Sequence, residues 1–515
     1  MSIIFNSKIK NLKQHLLKSF KINNYNSTIR NRKIVFSDVF SDVFYFTNLY
    51  NINNNSTYDT VYNNIIIDKS YNNISKNAFV KKRNDLSIDL FININDNLLN
   101  YVYNDINAHN LNKERFIGID GTNMIFLSEL SNDGFKSNKH DTYTKGIISC
   151  LYDVDNQIPI NYTLSKSFNE RNICIEQIKY LNKNDILIAD RGYYSNDVIK
   201  NLLNNQIDFV FRLKSSDLNV KEMNDNNNNI LLFDFINNDI VTKLKIIKFQ
   251  TVTYDDLNIK YEDIDNLNKQ FYDINQSIIK HKSFIHNLEI EKKDIIKNNK
   301  IINCNKKDKN VINKAFYIKI LKTNNLIKKK IDNQINLIQL IIDDSYKLFK
   351  IIKNKINLIN KVNDSVYYII TNKIDFSNEK LNEIYKKRWC VETNFRFAKE
   401  KFKFKTMNSK SINIIMQNIY VTQFLFILES YIEFLLKKYI KNDHKLNKST
   451  LLNVLEKYLI KHLLFDKNNK KIINAFYDIL NIIIKSIIKI KVIIEARPRI
   501  KKRPGSKWNG IPCTT

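Results

Sequence analysis

The chain has 515 residues, too many for one ordinary domain at roughly 150 residues each, so several units or one core with insertions are expected. Its 82 Lys+Arg against 52 Asp+Glu leave a formal net charge of +30, which favours a polyanionic partner, while a 43% apolar fraction excludes wholesale disorder. Only 7 Gly and 4 Pro stand beside abundant Asn, Ile, Lys and Tyr, a drift toward AT-rich codons, so part of the Lys surplus reports on the genome.

Residues 1–110 are polar and Asn-rich, and short apolar patches such as Val35-Phe36 and Val43 to Phe46 predict a few small helices. The first twenty residues lack the long apolar core of a signal peptide, and the chain is expected to be intracellular. At Arg115 to Asp120 (RFIGID) a short apolar run ends in a carboxylate, the pattern of a buried strand. Lys145 to Tyr152 and Pro159 to Leu164 follow as strand candidates, and Asn169 to Leu181 has helical spacing. Asp185 to Asp190 (DILIAD) repeats the apolar run ending in Asp; a helix from Ser195 to Leu203 and a strand at Phe209 to Leu213 come next. This alternation predicts a sheet covered by helices.

Residues 217–363 interrupt the order with strand-like pieces (Val241 to Phe249, Ala315 to Leu321, Leu337 to Ile342) between Lys/Asn-rich stretches, and read as an inserted subdomain. A core strand resumes at Ser365 to Ile370, Ser377 is placed to cap a helix, and one long helix is expected over Asn378 to Phe402. Residues 411–515 read as a helical region from Ser411 to Tyr477 followed by a basic tail, Arg497 to Lys507, suited to tracking DNA. The apolar stretch Ile419 to Leu428 is about half a membrane span, and Ile472 to Ile494 is broken by charges, so no membrane segment is expected.

Five scattered cysteines without a CxxC pair argue against a disulfide framework, and although His281 and His286 have an H-x4-H spacing that zinc can use, no Cys pair accompanies them, so zinc is not expected. His140 precedes a strand and is expected at the surface. Two strand-end acids, Asp120 and Asp190, followed later by Glu392 on a helix, form a hard oxygen set suited to divalent cations, although Asp at a strand end also serves as a turn or cap residue. On a continuous helix Tyr385, Arg388, Glu392 and Lys399 fall within an arc of about 60°. An exposed face with Arg–Glu pairing would carry the same pattern; Trp389, Phe395 and Phe397 are expected to bury much of this helix instead. Five of the seven glycines lie between 118 and 192, and Gly192 is the strongest candidate for a position that excludes a Cβ.

Tyr385 to Lys399 (YKKRWCVETNFRFAK) fits the Y-x2-R-x3-E-x6-K signature of IS4-type DDE transposases. Ile119-Asp120-Gly121-Thr122 resembles the first-acid motif of that family and Ile188 to Tyr194 (IADRGYY) the second. The resemblance covers about 115–215 and 365–405, and it implies an α/β fold: an RNase H-like mixed sheet with flanking helices, interrupted by an insertion, with mostly helical terminal regions. Its catalytic core would be 111–216 with 364–410. It further implies that Asp120, Asp190 and Glu392 are the catalytic residues and bind two Mg²⁺ or Mn²⁺ ions, and that Tyr385, Arg388 and Lys399 contact double-stranded DNA. Trp389 and Arg191 join them as candidate DNA contacts, residues 1–110 are assigned end recognition by analogy, and a homodimer is expected in the DNA complex. The expected activity is cleavage at element ends and transfer of the 3′-OH strand to target DNA. A catalytically silent DNA-binding derivative and a nuclease with the same core are the alternatives.

Overall fold

The two acids that close apolar runs lie side by side in a mixed sheet, but only Asp190 stands at a strand end; Asp120, expected at one too, falls in mid-strand because its strand continues to Leu127. The structure, a computed structural model, describes residues 3–22, 75–107, 114–237, 240–251, 253, 256, 264–307, 314–401, 406–407, 409–437, 440, 444–455, 482 and 485–489. The patches at 35–46, most of the stretch 472–494 and the basic tail lie outside them. The chain divides into two compact units, one of Met1–Ile247 with Ile369–Thr515 and one of Lys248–Tyr368.

The first unit opens with helices α1 (Ile3–Ile22), α2 (Lys76–Asp85) and α3 (Ile88–Asn107). Strands β1 (Phe116–Leu127), β2 (Lys136–Ser137), β3 (Tyr143–Asp153) and β4 (Ile158–Ser165) lead into helix α4 (Glu170–Gln177). Strand β5 (Ile186–Ala189), helix α5 (Asn196–Asn204), strand β6 (Asp208–Leu213), helix α6 (Leu218–Asp225) and strands β7 (Ile230–Asn237) and β8 (Ile240–Gln250) follow. After the second unit come β9 (Val366–Thr371), α9 (Asn378–Lys386), α10 (Trp389–Lys401), β10 (Thr406–Met407) and α11 (Ile412–Lys437). The last described elements are β11 (His444–Lys445), α12 (Lys448–Val454) and β12 (Ile488–Lys489).

The main sheet has the order β2-β3-β1-β5-β6-β9-β8-β7, with β4 beside β3 and β10 beside β1. Strands β1, β5 and β6 are parallel, whereas β1, β3 and β4 form an antiparallel meander, so the sheet is mixed, as the RNase H-like expectation requires. Phe116 to Ile119 and Ile186 to Ala189 are buried on both faces, which is why these runs are continuously apolar rather than alternating. Pairing of Gly118 with Ile188 sets the β1–β5 register, and the same offset carried forward brings Asp120, within β1, level with Asp190, just past the carboxyl end of β5. At the opposite ends Arg115 clamps Asp185 through two contacts of 2.8 and 2.5 Å, holding that register.

The terminal helices of this unit are built into it. Arg83, 1% exposed, donates to Gln417 Oε1 and Asn418 Oδ1 on α11, and Asn95 donates to the Tyr420 carbonyl. Helix α11 is long and apolar enough to cross a membrane by length and composition, yet nearly all of its most apolar window is buried within the protein. Helices α1 and α3 are each 20 residues long, while the small helices expected at 35–46 lie outside the described residues.

The second unit contains a helical hairpin, α7 (Ile264–Lys307) and α8 (Lys314–Asp364). Phe271 stacks on Phe349 at 4.2 Å, Lys282 Nζ donates to Tyr346 Oη at 2.8 Å, and Lys292 pairs with Asp332, an antiparallel register. Leu267, Ile352 and Ile359 form its buried cluster. The segments 315–321 and 337–342, expected as strands, are therefore helix: their Ile and Leu favour strands locally, but apolar residues every three or four positions over 51 residues bury a helical face against α7. The unit begins at Lys248 rather than 217 because α6, β7 and most of β8 belong to the sheet unit.

Candidate active site

Asp120 stands on β1 where the continuous apolar run ends, opposite Cys150 of β3. Asp190 follows β5 directly, and the Tyr193 amide bonds the Asp190 carbonyl, closing the turn into which Gly192 fits. Glu392 lies in the first turn of α10. That helix approaches β1 because residue 118 is glycine: a Cβ there would collide with Val391 Cγ2. Gly118, rather than Gly192, is thus the most crowded of these glycines; a Cβ on Gly192 would meet only Glu170 Oε2, at 3.3 Å. Asn394, one turn on from Val391, donates to Tyr162 Oη at 2.7 Å and fixes the rotation of α10 against the meander.

The expected single helix over 378–402 is two. Ser377 caps α9 through the Lys380 amide, and the chain tightens at residues 387–388, where Arg388 N bonds Tyr385 O and Val391 N bonds Arg388 O, both three residues back. Such i→i−3 bonds narrow the turn and break the regular 100° step, so the 60° stripe does not survive as one continuous face. Its members still converge. Tyr385 Oη donates to Asp190 Oδ1 at 3.4 Å, and Arg388 Nη1 pairs with Glu392 Oε1 at 2.8 Å. Lys399 shares a cavity of about 380 Å³ with Asp120, Thr122 and Glu392. Arg388 is 5% exposed and its Nε has no acceptor among the described residues. Trp389, expected with Phe395 and Phe397 to bury much of the helix, is 55% exposed, with the Arg388 guanidinium 5.5 Å from its ring. Arg191 is also exposed and lines a separate, smaller cavity with Arg171, Tyr194 and Lys214.

Electrostatically the site is a gathering of like charges. Burial holds the Asp120 carboxyl up at about 6, and Glu392 and Glu170 add to the rise, whereas the Gly121 amide and Arg388 oppose it. Glu170 is the residue that sequence reasoning missed. It opens α4, whose cap Asn169 accepts from the Arg171 and Asn172 amides. Its Oε1 lies 2.9 Å from where a Cβ on Gly121 would stand and its Oε2 3.3 Å from one on Gly192, so it sits between the two acid motifs. Its carboxyl is raised by burial and by Asp190. A sequence signal existed, an acid directly after a helix cap, but nothing in spacing alone tied it to Asp120.

Among the described residues no three His, Cys, Asp or Glu side chains converge closely enough to hold a metal as they stand. The donor chemistry nevertheless suits a hard cation: every acid gathered here offers carboxylate oxygens, and burial beside its neighbours disfavours Asp120's charge unless a cation balances it. His281 and His286 lie on α7 in the other unit, and His140 is exposed in a turn. The four described cysteines are all free.

Compared with known proteins, the chain matches the family profile of the transposase DDE domain over residues 111–428, more than half of its length. No curated protein matches it.

Proposed function

The chain belongs to the transposase DDE domain family, and on that premise we propose that it is an IS4-type transposase that cuts DNA at element ends and joins the freed 3′-OH to target DNA. The IS4-type assignment is supported by the Y-x2-R-x3-E-x6-K spacing from Tyr385 to Lys399. The observation that carries the activity is the gathering of acids from separate elements: Asp120 and Glu392 line one cavity, Tyr385 Oη bonds Asp190, and Glu170 sits beside Gly121 and Gly192 between the two motifs.

Asp120, Asp190 and Glu392 would hold Mg²⁺ or Mn²⁺, with Glu170 alongside. A bound pair of such ions lowers the barrier to displacement at phosphorus by activating the attacking oxygen and stabilising the leaving one. The protein's own residues do the rest. Tyr385 orients Asp190, and Arg388 orients Glu392, each by a direct hydrogen bond. Lys399, at the mouth shared with Asp120, is placed to take a backbone phosphate, and the exposed Trp389 and Arg191 offer a stacking surface and a second cation. In cleavage a water oxygen bonds to phosphorus as the bond to the 3′ oxygen breaks; in joining that 3′-OH attacks a target phosphorus and displaces its 3′ oxygen. Residues 1–110 are assigned to end recognition, and two copies are expected to act together on a pair of ends inside the cell.

The experiment is cleavage and joining scored separately on labelled duplex ends with and without Mg²⁺. Both steps depending on metal support the proposal. Cleavage without joining makes the protein a nuclease, and binding without cleavage makes it a silent derivative.

A further inference from the structure

Helix α8 carries two apolar faces, and α7 covers one. Ile331 and Ile342 are buried, each under 5% exposed. Leu326, Leu337, Leu340, Ile341, Leu348 and Ile351 are instead between 44% and 64% exposed. At about 100° per residue these six fall within an arc of about 100°, an apolar stripe running about 38 Å along the helix. Scattered apolar residues on a surface need no explanation, but a contiguous stripe on one helix face calls for a cover.

The stripe has an internal symmetry. Leu326 and Leu348 lie eleven residues either side of Leu337. The charged residues that fall in the same arc between Leu326 and Ile351 are Lys330 and Asp344, seven residues either side of Leu337. All of these positions are exposed; Asp344 pairs with Lys347 of its own helix at 2.9 Å, an exposed contact that leaves its second oxygen for a second copy's Lys330. A second α8 laid antiparallel on the first, with its two-fold axis at Leu337, sets Leu337 on Leu337, Leu326 on Leu348 and Lys330 on Asp344, each of the latter pairs twice. A self-complementary patch of this kind is what a two-fold contact between identical chains demands. DNA would leave the stripe's leucines uncovered, and a membrane surface gives no reason for an acid and a base placed symmetrically about one leucine.

We propose that the occupant of this face is a second copy of the chain, bound through α8 in antiparallel register about Leu337, and that the contact forms without DNA. It is independent of the carboxylate site and so stands or falls separately from the proposed chemistry.

The test is analytical ultracentrifugation of the full chain, free of DNA, from about 1 to 100 μM, the range of a modest single-helix interface. Wild-type protein self-associates. Lys330→Glu and Asp344→Lys each oppose like charges twice and weaken self-association about tenfold or more. Mixed one to one, the two variants associate with each other to within about threefold of wild type, because each supplies the charge the other lacks. Both positions are exposed, so neither substitution disturbs the hairpin's buried face. A monomeric wild type, single variants that self-associate normally, or a mixture that fails to pair overturns the proposal. So does a monomer that cosediments with anionic phosphatidylserine vesicles through the same leucines.

Discussion

Two isoleucine-rich parts of this chain adopt opposite structures. In β1 and β5, runs of four apolar residues are buried on both faces and stop at an acid. In α8, longer stretches of the same residue types are spaced three and four apart and bury one face of a 51-residue helix. The difference lies in period and length rather than in composition. It also separates two tasks: the apolar runs of the strands end where chemistry is proposed, whereas the hairpin offers surface.

The contrast breaks most sharply if removing an acid that closes one of these runs leaves activity intact. Asp120→Asn and Asp190→Asn are each expected to lower metal-dependent cleavage on the order of a thousandfold or more, with unchanged circular dichroism and melting temperature. Within the hairpin the cost should fall on stability instead. Ile342, 1% exposed, is expected to lose about 2–4 kcal/mol on change to Ala, read as faster amide exchange along α7 and α8. Unaltered exchange would mean that this face is not the hairpin's core.

A smaller effect is expected where the sheet meets the helix. Gly118→Ala forces Val391 aside and should cost about 1–3 kcal/mol. Val391→Ala in the same chain should recover much of that loss in denaturant unfolding, and no recovery would show that α10 is not held by this contact.

The smallest effect concerns Glu429 of α11. Burial raises its carboxyl to about 7 from the ordinary 4.5, with Lys448 opposing the rise and Glu433 adding to it. Because the folded chain holds this proton more tightly than the unfolded one, the group's contribution is most favourable below about pH 4.5. It is then lost as pH rises toward 7. Glu429→Gln should flatten that part of the melting-temperature profile by a few degrees at most, and an unchanged profile would contradict the assignment.

Much of the sheet was legible in the sequence because its signals are local. The two apolar runs ending in Asp, the Ser377 cap and the resumed strand at 366–371 each depend on a few neighbouring residues. The hairpin was not legible by local propensity, since Ile-rich segments such as 337–342 favour strands until the partner helix is considered. At the site, the motif spacing pointed to Asp120, Asp190 and Glu392. Glu170 and the exposure of Trp389 depended on how α4 and α10 pack, which spacing does not encode. The break at 387–388 was hidden for a related reason: a good helix-forming sequence runs straight through it.

The central claim is that one short helix carries both an acid for metal, Glu392, and a cation for DNA, Lys399. Its most direct test is a gel shift and a joining assay on the same labelled end, with Glu392→Gln and Lys399→Ala compared with wild type. Glu392→Gln keeps size and hydrogen bonding but removes the charge a hard cation requires. It is predicted to abolish cleavage and joining while binding the end as tightly as wild type or more so. Lys399→Ala should weaken binding and lower activity only in part. Normal Mg²⁺-dependent joining by Glu392→Gln would contradict the account and leave the Arg388–Glu392 pair as an ordinary ion pair on a helix face.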